Sequence, residues 1–128
     1  MAFGNKRFAR GRTVRRQPGT MNKTEAAFAA LLDLRVKAGE IAAYWFESLT
    51  LRLAARTTYT PDFVILHNDG LIEVAEVKGG FIEDDAMVKF KVAAEAFFMF
   101  QFVMYQRKRV KEPFAVRMRY GEKVEVAQ

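Results

Sequence analysis

Apolar residues recur at helical spacing along residues 26–38, and this pattern predicts an amphipathic helix near the start of the chain. Asn22 stands where a helix N-cap is expected. Gly39 fits the C-terminal end, where a residue with positive φ is favoured. The apolar positions that define the helix are Phe28, Leu31, Leu32, Leu34 and Val36.

The segments that follow are predicted to be three antiparallel strands. Residues 44–53 alternate apolar with polar positions and form the first strand, and residues 56–60 are a connector. The second and third strands, residues 62–67 and 71–78, flank Asn68-Asp69-Gly70. This tripeptide predicts a tight hairpin turn because Asn, Asp and Gly tolerate positive φ.

A second helix is predicted over residues 86–97, with Asp84 or Asp85 as its N-cap. Residues 98–106 fit two structures, because they either prolong this helix or form a strand. Their large apolar residues recur with period two, and this spacing favours a strand that follows a break in the helix.

Residues 114–119 and 123–126 fit a short terminal hairpin around Gly121. The predicted order is therefore αβββαβ, an α/β fold with a central mixed sheet flanked by helices. The chain has 128 residues, of which 51% are apolar, and this is enough for one domain with one core. We assign that domain to residues 21–128 and a basic arm to residues 1–20.

The positive charge of the chain is concentrated in the arm. The formal net charge is +6, and residues 1–20 contain basic residues but no acid. Such an arm suits a polyanion, because phosphate contacts release condensed counterions. A solubilising tail or a localisation signal is the alternative. The arm residues predicted to bind DNA are Lys6, Arg7, Arg10, Arg12, Arg15 and Arg16; a second basic cluster is Arg107, Lys108, Arg109 and Lys111.

Several classes of protein are excluded. The chain has no cysteine, so it has no disulfide scaffold, thiolate metal site or cysteine nucleophile. His67 is the one histidine; it adjoins a turn and is expected at the surface, and no catalytic triad is recognisable. No apolar stretch reaches the roughly 20 residues of a membrane span, and the N-terminus lacks the apolar core of a secretory signal. We expect a cytoplasmic protein.

The predicted hairpin brings three chemically distinctive residues together. Glu76 and Lys78 share a face because side chains alternate along a strand. The turn folds Asp62, at the start of one strand, beside the end of the next strand. Mg²⁺ commonly takes one or two carboxylates as ligands. Each element alone is an ordinary strand sequence, so the combination is what predicts a metal-dependent phosphodiester hydrolase.

Four short segments within about residues 22–103 carry a family resemblance. They are Asn22-Lys23-Thr24-Glu25, Tyr59-Thr60-Pro61-Asp62-Phe63, Glu76-Val77-Lys78-Gly79, and Asp84-Asp85 with Lys89 and Lys91. Together they resemble the PD-(D/E)XK nuclease superfamily, which implies the restriction-endonuclease-like fold. The closer resemblance is to phage endonucleases, including the phage endonuclease I type of Holliday-junction resolvase.

The resemblance implies roles for individual residues. Asp62 and Glu76 would ligate Mg²⁺, for which Mn²⁺ would substitute. Lys78 would be the catalytic lysine. Glu25 would complete the carboxylate set, and the carbonyl of Val77 would be a further metal ligand.

Other residues have structural as well as functional interpretations. Glu25 stands three residues after a candidate N-cap, so it also fits a capping box. Lys89 and Lys91 are two residues apart and cannot face the same way on a helix. We expect one of them to reach a DNA phosphate and the other to lie on a solvated face. Lys23 is predicted to bind DNA as well.

The predicted function is a metal-dependent DNA endonuclease, specifically a Holliday-junction resolvase that acts in DNA recombination as a homodimer. A four-way junction needs two related cuts, and a two-fold symmetric enzyme supplies them. Preference for branched DNA follows from the resemblance alone, since no substrate-reading motif is visible. A nicking or site-specific endonuclease is the alternative within the class. A catalytically inactive DNA-binding protein with the same fold is the alternative outside it.

Overall fold

The computed structural model describes residues 19–121, which form two helices, a five-stranded sheet and a two-stranded sheet. The predicted α/β class, with a mixed sheet and two helices, is confirmed. No helix within this range is long and apolar enough to cross a membrane. The elements in chain order are α1 (Lys23–Lys37), β1 (Ile41–Phe46), β2 (Leu51–Ala54), β3 (Thr57–Tyr59), β4 (Phe63–His67), β5 (Ile72–Lys78), α2 (Asp84–Ala96), β6 (Gln101–Gln106) and β7 (Ala115–Tyr120).

Helix α1 begins at a capping box. The Asn22 side chain accepts a hydrogen bond from the Glu25 backbone N–H at 2.8 Å, and Glu25 Oε1 accepts one from the Asn22 N–H at 2.9 Å. These bonds satisfy two backbone donors that the first turn would otherwise leave unpaired. The helix ends at Lys37 with Ala38 as its C-cap, and Gly39 follows with a φ of +78°. Both predicted ends of α1 are confirmed.

The main sheet has the strand order β1-β4-β5-β6-β7. Strands β4 and β5 form the predicted antiparallel hairpin, and Gly70 in its turn has a φ of +92°. Strand β6 pairs parallel to β5. A parallel neighbour requires a crossover connection, and α2 lies in that connection. Strand β5 therefore lies at the centre of the sheet, with a pairing partner on each side.

The two faces of the sheet carry separate cores. On one face, α1 packs on a cluster formed by Phe28, Ala29, Leu32, Ile41, Phe63, Ile65, Ala75 and Val77. On the other face, α2 and the β2–β3 hairpin cover a cluster formed by Leu51, Tyr59, Val74, Phe90, Ala93, Ala94, Phe102 and Met104. Because β5 contributes alternate residues to the two clusters, its even-numbered side chains face α2.

The prediction of one strand over residues 44–53 is wrong. Strand β1 ends at Phe46, and Glu47 adopts a positive φ of 49°. Strand β2 then pairs with β3, which occupies most of the segment 56–60 predicted as a connector. The apolar alternation continues through this region, but the backbone leaves the main sheet at Glu47. The observed order of elements is therefore longer than αβββαβ.

The boundaries of α2 and β6 also differ from the predicted ones. The N-cap of α2 is Glu83, while Asp84 and Asp85 lie in the first turn, where carboxylates favour the helix dipole. The break after α2 is confirmed, and the strand that follows it begins at Gln101 rather than Phe98.

Strand β7 pairs antiparallel with β6, so it belongs to the main sheet. Its predicted partner, residues 123–126, lies outside the described residues.

His67 is less exposed than its position beside a turn suggests. Its side chain is 14% exposed, and its Nε2 lies 2.7 Å from Glu73 Oε1. The Tyr105 hydroxyl donates to the other Glu73 oxygen at 2.5 Å. The expectation of a surface histidine is therefore wrong, because β5 offers it a buried carboxylate that the sequence order does not reveal.

Candidate active site

Asp62 lies at the start of the β4–β5 hairpin, at the end far from the turn. Its side chain is buried, and Oδ2 accepts a hydrogen bond from the Val77 backbone N–H at 2.8 Å. Its own backbone carbonyl accepts from the Glu47 N–H at 2.8 Å. Asp62 is therefore fixed between the end of β1 and the end of β5.

Glu76 and Lys78 share one face of β5, as the strand period predicts. Lys78 Nζ lies 3.3 Å from Glu76 Oε2. The second Glu76 oxygen, Oε1, accepts a hydrogen bond from the Tyr59 hydroxyl at 2.5 Å. Because Tyr59 is buried on the β2–β3 hairpin, it holds the Glu76 carboxylate from the α2 side of the sheet.

Glu25 reaches the same region from α1. It is only 4% exposed, and its negative charge acts on Asp62. The close packing of α1 depends on Gly79, because a Cβ at that position would lie 2.9 Å from Thr24 Oγ1. The first turn of α1 is thereby packed against the residues that follow β5. Glu25 can therefore cap α1 and also belong to the group of carboxylates near Asp62.

Burial, and after it the neighbouring carboxylates, disfavours a negative charge on Asp62. Burial, together with the negative charges of Glu76 and Glu25, raises the pKa of Asp62 to about 8. The Val77 N–H and the Lys78 charge oppose this shift. Burial also raises the pKa of Tyr59, so its hydroxyl stays protonated and donates to Glu76.

The structure brings all four predicted catalytic residues, Glu25, Asp62, Glu76 and Lys78, to one end of the sheet. Tyr59 is the residue that the sequence analysis did not place in the site. It lies within a segment used for the family resemblance, but only the β2–β3 hairpin directs its hydroxyl toward Glu76. The one signal available in the sequence was its position three residues before Asp62.

The other residues predicted to bind the metal or DNA differ in their positions relative to the site. Val77 contacts Asp62 through its N–H, and ligation through its carbonyl stays a prediction. Lys89 Nζ donates to the Thr58 carbonyl at 2.9 Å, so it ties α2 to the β2–β3 hairpin. Lys23 and Lys91 are exposed. The predicted arm residues Lys6, Arg7, Arg10, Arg12, Arg15 and Arg16 lie outside the described residues.

The chemistry of the donor set fits a hard divalent cation. Asp62 and Glu76 offer carboxylate oxygens, and one or two carboxylates are a common protein contribution to a Mg²⁺ site. A cation there would offset the buried negative charge. Within residues 19–121, no three His, Cys, Asp or Glu side chains are arranged so as to hold a metal ion. The donor set therefore fits a Mg²⁺ site to which the protein contributes two carboxylates, those of Asp62 and Glu76.

The raised pKa of Asp62 predicts a pH-dependent stability. The folded state holds this proton at pH values where the unfolded chain has released it. Without added metal, the Asp62 contribution to the free energy of unfolding should therefore fall as the pH rises from the usual carboxyl value of 3.8 to about 8. We expect Asp62→Asn to become more stable than the native chain across this range, by about 1–2 kcal/mol.

Urea unfolding in EDTA at a series of pH values measures this effect. Asp69→Asn is the matched control, because Asp69 lies exposed in the hairpin turn. A difference between Asp62→Asn and the native chain that stays constant with pH would contradict the prediction.

Comparison with known proteins adds no identification. No protein-family model matches the chain, and no curated protein matches it.

Proposed function

We propose that this protein is a magnesium-dependent DNA endonuclease. The observation that carries the proposal is that two buried carboxylates, Asp62 and Glu76, lie near the Lys78 ammonium, while the buried Glu25 carboxylate also acts on Asp62. Burial of several like charges costs free energy and weakens the fold. Such a cluster is typical of a site in which a cation or a reacting group is bound.

The residues have distinct roles in this proposal. Asp62 and Glu76 would hold Mg²⁺, which supplies charge stabilisation to the phosphate and lowers the pKa of bound water. Tyr59 orients Glu76 by donating to one of its oxygens. Lys78 is 28% exposed at its side chain, so it can reach a bound phosphate and stabilise developing negative charge.

The PD-(D/E)XK fold is part of the proposal. It is supported by the position of the acid-bearing hairpin in a mixed sheet, with a helix on either face. Its further support is the placement of α1, whose Glu25 approaches the strand end that bears Glu76 and Lys78.

The test is cleavage of labelled synthetic DNA by the full chain in Mg²⁺ and in Mn²⁺. A four-way junction, a nicked duplex and an intact duplex of matched sequence are compared. We expect cleavage that EDTA abolishes, and paired cuts on the junction, as a homodimeric resolvase would make. Equal cutting of all substrates would contradict junction selectivity. Cutting of one strand of the intact duplex would instead identify a nicking or site-specific endonuclease.

A DNA-binding protein without catalytic activity is the second candidate. It is favoured by the internal partners of the two carboxylates, since Asp62 accepts from Val77 and Glu76 contacts both Tyr59 and Lys78. Such interactions are also found in structural ion-pair networks. Binding of all three DNA substrates with no cleavage in either metal would support this candidate and contradict the nuclease.

A further inference from the structure

A cleft of about 470 Å³ lies directly beyond the end of β5. Its volume falls in the range of about 300–1,000 Å³ that is usual for small-ligand sites. Its lining includes Gly80, two residues after Lys78, and Gln106, which pairs with Lys78 across the β5–β6 ladder. The Gln106 side chain donates to the Gly80 carbonyl. The cleft therefore lies next to the end of β5 that bears Lys78.

The cleft opens on the same face of the sheet as Glu76 and Lys78. Gln106 alternates with Met104, which belongs to the cluster under α2. Met87 of α2 also lines the cleft and packs against that cluster. A DNA strand that places a phosphate at Lys78 can therefore continue into the cleft without crossing to the other face.

The lining of the cleft has a net positive charge. Lys108 and Arg117 contribute two cations, and Asp84 contributes one carboxylate. Arg117 lies at a β-bulge, because the partner of Met104 is Met118 and the partner of Tyr105 is Val116. A bulge inserts one unpaired residue and turns its side chain away from the regular alternation. The bulge thereby explains how β7 directs a cation into the cleft.

Phe81 adds an aromatic surface to the same cleft. Its side chain is 87% exposed, more than any other large apolar residue in the part of the chain described. An exposed ring beside cations is the combination that single-stranded nucleic acids bind, because bases stack on the ring while the backbone contacts the positive charge. A fully paired base is already stacked in its duplex and gains little from such a ring.

We infer that this cleft binds the nucleotide next to the scissile phosphate, with an unpaired base stacked on Phe81 and its phosphate held by Arg117 and Lys108. The inference rests on the proposed nuclease function and narrows its substrate class. The preferred DNA would have an unpaired or splayed base beside the cut, as occurs at a branch point.

The test measures binding by the full chain in EDTA, where cleavage does not interfere. The probes are a splayed-arm DNA, with a fluorescent adenine analogue at the first unpaired position, and a fully paired duplex of the same sequence. We expect Phe81→Ala to bind the splayed DNA about tenfold more weakly, with loss of quenching of the analogue, and the duplex almost unchanged. Phe81→Trp keeps an aromatic ring at this position and should bind the splayed DNA as tightly as the native chain does.

Two matched variants serve as controls. Phe98→Ala removes another exposed ring at the opposite end of α2, and should bind both probes like the native chain. Arg117→Ala should lower the slope of log affinity against log salt by about 0.7–0.9, the value for one phosphate. Arg119→Ala should leave the slope unchanged, because Arg119 lies near Tyr105 on the α1 face.

Equal binding of splayed DNA by Phe81→Ala and the native chain would overturn the inference. The inference would also be overturned if Phe81→Ala weakened binding of the splayed DNA and of the paired duplex by the same factor. The proposed function fails on a different measurement. A native chain that shows the Phe81-dependent preference but cuts no DNA in Mg²⁺ would contradict the nuclease and support the cleft as a binding site for unpaired bases.

Discussion

Asp62→Asn is expected to lower the rate of DNA cleavage in Mg²⁺ by about 10³-fold or more. The amide keeps an oxygen that can accept from the Val77 N–H, so the hairpin should stay intact. It lacks the negative charge that holds a divalent cation. Lys78→Ala should have an effect of similar size, because the ammonium beside Glu76 is lost. Single-turnover cleavage of the preferred DNA substrate measures both effects.

Binding experiments separate catalysis from recognition in these variants. In EDTA, Asp62→Asn should bind DNA at least as tightly as the native chain, since the amide stays neutral at every pH and adds no negative charge near the phosphate. Asp69→Asn and Lys37→Ala are controls with the same chemical changes at exposed positions away from the site. Undiminished cleavage by either site variant would show that the carboxylate–ammonium cluster has a structural role only.

Phe63→Ala is expected to lower the free energy of unfolding by about 3–5 kcal/mol. Phe63 is fully buried, and its ring packs against those of Phe28, Tyr44 and Phe46 at centroid distances of 5.4, 6.0 and 5.3 Å. Truncation removes these contacts and leaves a cavity between α1 and the sheet. Urea unfolding at fixed pH, followed by circular dichroism, measures the loss.

The control for this prediction is Phe98→Ala, because the Phe98 side chain is 77% exposed. Its effect should stay within about 0.5 kcal/mol. A loss of less than about 1 kcal/mol for Phe63→Ala would show that the aromatic cluster does not hold α1 on the sheet. The placement of Glu25 near Asp62 would then need another explanation.

Local sequence signals were sufficient where they act over a few residues. The capping box at Asn22 and Glu25, the turn at Asn68–Gly70 and the break after α2 each depend on neighbouring residues, and the structure has all three. The strand period alone placed Glu76 and Lys78 on one face.

Non-local pairing decides the features that local sequence patterns do not predict. The alternation over residues 44–53 fits one strand, yet a positive φ at Glu47 sends β2 to a separate sheet with β3. Strand β7 joins the main sheet because β6 offers it a free edge. His67 is paired with Glu73, a residue on the neighbouring strand. None of these pairings leaves a periodic signal in its own segment.

The sequence by itself determined the α/β class, the acid-bearing hairpin and the residues that converge at its open end, because side-chain alternation and turn chemistry are local properties of the backbone. Only the tertiary structure decided that Tyr59 holds Glu76, that burial and Glu76 raise the pKa of Asp62, and that Arg117 and Phe81 share a cleft beyond Lys78. These features depend on distances between segments far apart in the chain, and such distances are set by packing on the two faces of the sheet.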